Sequence, residues 1–159
     1  MDGARICSLL DEHAQSGMDF GELLETAVRL VHESCDRFHW TGIYELYPDG
    51  MLRLGPFIGA PTDHVFIGVG EGVCGTAVKE QKNQNIPDVT KVQNYLACST
   101  ETRSELVVLI RSGDTIHGQI DIDSHEVAAF EGGIEDAVQQ VADYLAIQYG
   151  ERTARNSAA

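Results

Sequence analysis

Basic residues are scarce in this chain. It has 11 Lys and Arg against 25 Asp and Glu, a formal net charge of −14. No basic face for a nucleic acid or an anionic membrane surface can be assembled from so few cations, so neither is expected as a partner. Long apolar runs are also missing, and none approaches the roughly 20 residues that span a bilayer. The opening MDGARICSLLDEH carries early acids and no apolar h-region, so no secretory signal is expected there. Internal repeats, low-complexity linkers and a CxxC pair are likewise absent. A chain of 159 residues fits one domain, expected over residues 1–150, with 151–159 as a flexible tail. A domain of that size buries its core without disulfide staples. Four cysteines without a signal therefore point to a reducing, cytoplasmic compartment and to free or catalytic thiols.

Hydrophobic spacing divides the rest into elements. Arg5–Ala14 and Phe20–Cys35 read as helices, the second with Leu23, Leu24, Ala27, Val28, Leu30 and Val31 at helical spacing. Strands are expected at His39–Tyr47, Met51–Gly59, Val65–Val69 and, briefly, Asn83–Ile86, with a turn at Tyr47–Gly50. Gly70-Glu71-Gly72 opens a helix over Val73–Gln81, and Pro87–Thr100 reads as a long loop. Leu106–Arg111 and Thr115–Asp123 form the clearest hairpin, turning through Ser112-Gly113-Asp114. Phe130–Tyr149 is an amphipathic closing helix. Helices and antiparallel hairpins in this order predict an α+β fold with helices covering the sheet.

The hairpin carries chemistry. Its turn leaves Glu105 opposite Asp121 or Asp123, and strand alternation puts Asp121 and Asp123 on one face. Facing residues share a face, so Glu105 joins them, with Val107 and Gln119 as face-mates. Leu106, Val108, Ile120 and Ile122 occupy the opposite, core-directed face. Three neighbouring acids repel one another and raise at least one pKa unless a cation, an ammonium group or shared protons relieve them. The cluster reads equally well as a ligand site and as a solvated acidic face.

Trp40 and Tyr44 share a strand face with Gly42 between them, which suits either core packing or an aromatic wall with room for a ligand. Cys98 falls late in a loop, where a thiol can be exposed. Cys74 stands near a helix N-terminus, whose dipole favours thiolate. Buried apolar thiols are the plainer reading of both. Cys7 and Cys35 read as structural. His32, Cys35 and His39 straddle a helix end without a second cluster, so no metal is expected.

Taken together, WTGIY at Trp40–Tyr44, GPF at Gly55–Phe57, GEGVCGTA at Gly70–Ala77, Ala97-Cys98, RSE at Arg103–Glu105 and IDIDS at Ile120–Ser124 resemble the free methionine-(R)-sulfoxide reductases of the GAF fold. The resemblance implies a central six-stranded antiparallel sheet with helices on both faces, and commonly a homodimer. It implies Cys98 as nucleophile and Cys74 as a second redox cysteine. Trp40 and Tyr44 become pocket aromatics around the methyl and thioether end. Glu105, Asp121 and Asp123 become carboxylates that contact the ammonium and sulfoxide groups. The chain departs from the pattern at His64, where many members carry a resolving cysteine, at Tyr95-Leu96 before the Ala-Cys pair, and at Leu109, usually proline.

The expected activity is reduction of free L-methionine-(R)-sulfoxide through a Cys98 sulfenic acid. Cys74 acts as resolving thiol and a thioredoxin-like donor as reductant, without metal or organic cofactor. The alternatives are a non-catalytic GAF-type ligand sensor and a Cys74–Cys98 redox switch.

Overall fold

A computed structural model describes residues 1–96 and 99–159. Their elements are α1 (Gly3–Gln15), α2 (Phe20–His32), β1 (Trp40–Leu46), β2 (Met51–Ile58), β3 (Phe66–Gly68), α3 (Gly72–Glu80), β4 (Gln84–Ile86), β5 (Ser104–Ser112), β6 (Thr115–Ser124) and α4 (Ile134–Ala158). A single 3-10 turn, Val89–Lys91, interrupts the expected long loop. The strands form one six-stranded sheet in the order β3-β2-β1-β6-β5-β4, with every neighbouring pair antiparallel. The fold is α+β, as expected.

Local signals place the helices. Asp19 caps α2 by accepting from the Glu22 amide while the Glu22 side chain accepts from the Asp19 amide, a reciprocal capping box. The hairpin of β5 and β6 turns through Gly113-Asp114, with Gly113 at φ +59°, as a type II′ turn requires at its first central position. Two boundaries differ from the sequence expectation. α4 starts at Ile134 instead of Phe130, because Gly132 and Gly133 both take positive φ ahead of it. It then continues through 151–158, where a tail was expected, although every residue of that stretch is exposed.

Two cores lie on opposite faces of the sheet. On one, Ile43, Leu106, Val108, Ile110, Ile120 and Ile122 pack against the buried stripes of α2 and α4, with Ile6 and Leu10 of α1 closing over them. Each such aliphatic side chain contributes roughly 1.5–3 kcal/mol when fully buried. The other face is covered by α3, whose Val73, Cys74, Ala77 and Val78 pack with Trp40, Tyr44, Leu52, Val107 and Leu109. Helices on both faces match the expectation. No helix among the described residues is long and apolar enough to cross a membrane.

The seat of α3 is tight. A Cβ on Gly75 would collide with the Gly68 carbonyl oxygen and come within 2.9 Å of the Gly70 nitrogen, both backbone atoms that cannot swing away. Gly75→Ala is therefore expected to lift the helix and cost about 1–3 kcal/mol. Chemical denaturation checks this, and an unchanged midpoint would show that the seat has slack.

Candidate active site

Register across the three central strands decides which side chains meet. On the α3 face, β1, β6 and β5 line up in three rows: Trp40, Asp123 and Glu105; Gly42, Asp121 and Val107; Tyr44, Gln119 and Leu109. Glu105 lies opposite Asp123, the second of the two partners that the hairpin allowed. β5 begins at Ser104, two residues before the expected start. Glu105 is a poor strand former by propensity, but Asp123 on one side and Ile86 on the other hold it in the ladder.

The acids are not a solvated face. Glu105 is 4% exposed, Asp121 0% and Asp123 2%, beneath α3. Burial is the largest cause of their electrostatics, since it disfavours the charged form. It pushes the Glu105 carboxyl well above the usual range, and the Asp121 and Asp123 charges and a hydrogen bond to Asp121 add to the rise. Asp123 is also pushed well above the usual range, by burial and then by the Asp121 charge. Asp121 is raised to about 7, because hydrogen bonds from Cys74, Glu105 and the Ile122 amide offset part of its burial. All three carboxyls therefore hold protons to higher pH than ordinary carboxylates do, and Asp121 is the one whose hydrogen bonds favour its anion.

Cys74 enters from above, as the third residue of α3. Its Sγ stands 3.3 Å from Asp121 Oδ2, to which the thiol donates, and 4.0 Å from Glu105 Oε1. The helix start that was read as favouring thiolate is thus set against a carboxylate that holds the thiol proton.

The aromatics complete the wall. The Trp40 Nε1–H donates to the Ala60 carbonyl at 3.1 Å, and the indole stacks on Phe57 with centroids 5.6 Å apart. The Tyr44 hydroxyl donates to the His64 carbonyl at 2.7 Å. Gly42 does not leave room for a ligand in the expected way. The Trp40 ring itself fills that space, and a Cβ on Gly42 would stand 2.7 Å from indole Cζ3. Glycine here lets the indole lie flat across β1.

His64, where many members carry a resolving cysteine, is half-buried and lines a narrow pocket with Ile67, Cys74, Leu96 and Glu105. The free volume is about 10 Å³, room for about one water. Cys98, expected as nucleophile, lies outside the described residues. Cys7 and Cys35 are remote from this pocket and pack at the edge of the α1/α2/α4 core, where the Cys7 thiol donates to the Gln140 carbonyl.

Gln119 was read only as a face-mate of the acids. It is wholly buried, and neither atom of its amide has a hydrogen-bond partner among the described residues. An unpaired buried amide costs about 1–3 kcal/mol, so its position on the floor beside Asp121 is unusual. Its place in the face was visible in the strand alternation. Its burial was not, because that depends on α3.

Comparison with known proteins places this geometry. The GAF domain family model matches residues 19–149. The free methionine-R-sulfoxide reductase of Escherichia coli is 38% identical over 120-odd positions, 74% of this chain and 72% of that protein. Among solved structures, the type II free methionine-R-sulfoxide reductase from Thermoplasma acidophilum is 36% identical with a TM-score of 0.77, covering 82% of this chain and 92% of that one. The free methionine-R-sulfoxide reductase from Neisseria meningitidis, solved with its substrate, is 27% identical with a TM-score of 0.85, covering 96% and 89%. These likenesses show that the chain belongs to the GAF-domain family and, within it, to the free methionine-R-sulfoxide reductases, which are oxidoreductases.

Proposed function

We propose that this protein reduces free L-methionine-(R)-sulfoxide to L-methionine. The observation that carries the reading is the convergence of Glu105, Asp121 and Asp123 with the Cys74 thiol under α3, beside Trp40. A buried site of acids with no Lys or Arg ion pair among the described residues suits an ammonium group, which relieves their repulsion. A peptide-bonded methionine has no ammonium to offer, so the same acids select the free amino acid. The indole face of Trp40 suits the methyl and thioether end.

In the proposed reaction the Cys98 thiolate attacks the sulfoxide sulfur. Leu96, two residues earlier in the chain, lines the pocket, which supports this assignment. Glu105 is the proton donor we favour, because burial and its acidic neighbours make it hold its proton well above the usual carboxylate range. It protonates the sulfoxide oxygen. Methionine leaves with two more electrons, and Cys98 retains the oxygen as sulfenic acid. Cys74 then condenses with the sulfenic acid, releasing water and forming a disulfide. A thioredoxin-like dithiol returns both cysteines to thiols by exchange. His64 has no sulfur, so the resolving step falls to Cys74. The pocket holds about one water as it stands, so side chains around it, Leu96 and His64 first, have to shift to admit the substrate.

The direct test supplies each diastereomer of free methionine sulfoxide with dithiothreitol and measures methionine. Only the R form is expected to react, and Cys98→Ser is expected to abolish the reaction with the fold intact. Methionine formed by that variant at the parent's rate would remove Cys98 from the mechanism.

Glu105→Gln keeps the shape but cannot supply the proton, and is expected to lower kcat by about 10²-fold or more. Single-turnover kinetics check this. A variant changed only in KM would reassign Glu105 to binding.

The three raised carboxyls also set a pH dependence of stability. The folded state holds their protons more tightly than the unfolded chain does, so their contribution is full below the ordinary carboxylate range. It declines as pH rises from about 4: the Asp121 share is lost through about 7, and the Glu105 and Asp123 shares are lost as pH passes their own raised values. Asp121→Asn removes its share of that loss, on the order of a few kcal/mol. The variant is expected to melt above the parent at pH 8 and level with it near pH 4. Parallel melting curves at the two pH values would show that the Asp121 pKa is not raised by folding.

A further inference from the structure

We propose that Cys74, Glu105 and Asp121 also form a binding site for a soft divalent cation, with Zn²⁺ the best chemical match, and that the ion excludes substrate from the pocket. One ligand atom from each of the three lies within 4.8 Å of the others. Cys74 Sγ stands 3.3 Å from Asp121 Oδ2 and 4.0 Å from Glu105 Oε1. In a tetrahedral zinc site, bonds of about 2.3 Å to sulfur and about 2.0–2.2 Å to oxygen set ligand atoms roughly 3.5 Å apart. The two measured separations bracket that spacing, so small side-chain shifts suffice. The donor set of one thiol and two carboxylates favours zinc over calcium or magnesium, which take oxygen ligands throughout.

A second observation, independent of the triad, also points to a ligand. Asp123 lies on the same face, is 2% exposed, and has neither carboxyl oxygen hydrogen-bonded among the described residues. Asp121 Oδ1 is unpartnered as well. Buried carboxyl oxygens left unpaired are costly. Asp123 pairs with Glu105 across β5 and β6 and lies outside the 4.8 Å triad, where it can hold a metal-bound water. The alternative occupant is a cluster that satisfies itself through shared protons and the Cys74 hydrogen bond. That arrangement accounts for Glu105, Asp121 Oδ2 and Cys74 but leaves Asp123 without a partner.

The exchange balances without oxidation or reduction. The cation displaces the Cys74 thiol proton and the proton of the Glu105–Asp121 hydrogen bond. Both go to solvent, and one metal–sulfur and two metal–oxygen bonds form. The site itself rests on geometry. Its effect on turnover rests on the proposed reductase function, since an ion on Glu105 and Asp121 takes the place of the ammonium and withdraws Cys74 from disulfide formation.

The test uses the reduced full-length chain with Cys7→Ser and Cys35→Ser, which removes the two thiols remote from the pocket. Calorimetric titration with ZnCl₂ in buffers of different ionisation enthalpy is expected to give one ion per chain and release of about two protons. Co²⁺ is expected to give a thiolate-to-cobalt charge-transfer band. Cys74→Ser should lose that band, and Asp121→Asn and Glu105→Gln should each weaken Zn²⁺ binding at least about tenfold. Thermal melts without metal identify any variant that fails to fold, and the remaining carboxyl variant then decides. No binding at micromolar Zn²⁺ overturns the proposal, as does a band that survives Cys74→Ser but is lost in Cys98→Ser. Adding free methionine-(R)-sulfoxide is expected to weaken Zn²⁺ binding. If zinc binds as described and the sulfoxide does not compete, the cation site stands and the placement of substrate falls. If the sulfoxide is reduced and zinc does not bind, the reductase reading stands alone.

Discussion

Everything distinctive about this protein depends on three carboxyl groups taken out of water on one face of a sheet. Burying charged carboxylates without cations is prohibitive, so the groups share protons instead. Glu105 and Asp123 are pushed well above the ordinary range, and Asp121, the best hydrogen-bonded of the three, is held at about 7. The cluster thereby keeps protons beyond the pH at which ordinary carboxylates lose them, beside an acceptor whose hydrogen bonds favour its anion.

The rest of the fold maintains that burial. The opposite sheet face is a conventional aliphatic core under α2 and α4, and it anchors β1, β5 and β6 in register. With the strands anchored, rows of facing residues bring Trp40, Asp123 and Glu105 into one line and Gly42, Asp121 and Val107 into the next. α3 then closes the acidic face, held down through Gly75 against the backbone at Gly68. Gly42 serves the same end by letting the Trp40 indole lie across the strand beside the acids.

The thiol chemistry is tied to the same acids. Cys74 donates to Asp121, so any change in the charge of the cluster is felt at the sulfur, and any chemistry at the sulfur alters the cluster. That coupling underlies both the proposed resolving role and the proposed cation site, and it arises because one turn of α3 sits directly over the second row of the sheet.

Much of this was legible in the sequence because strand geometry is local. Period-two alternation put Glu105, Asp121 and Asp123 on one face and Leu106, Val108, Ile120 and Ile122 on the other, and a short turn at Gly113-Asp114 left two registers to choose from. The acidic balance and the paucity of Lys and Arg were likewise plain from composition. Only the tertiary structure decided whether the acids face water, because burial depends on where α3, distant in the chain, comes to rest. It alone chose Asp123 as the partner of Glu105, put the Trp40 ring in the space over Gly42, buried Gln119 without a partner, and brought Cys74 to 3.3 Å from Asp121 across 47 residues of chain. Faces and spacings follow from backbone periods that neighbouring residues share, whereas burial and pKa follow from contacts between segments that no local pattern encodes.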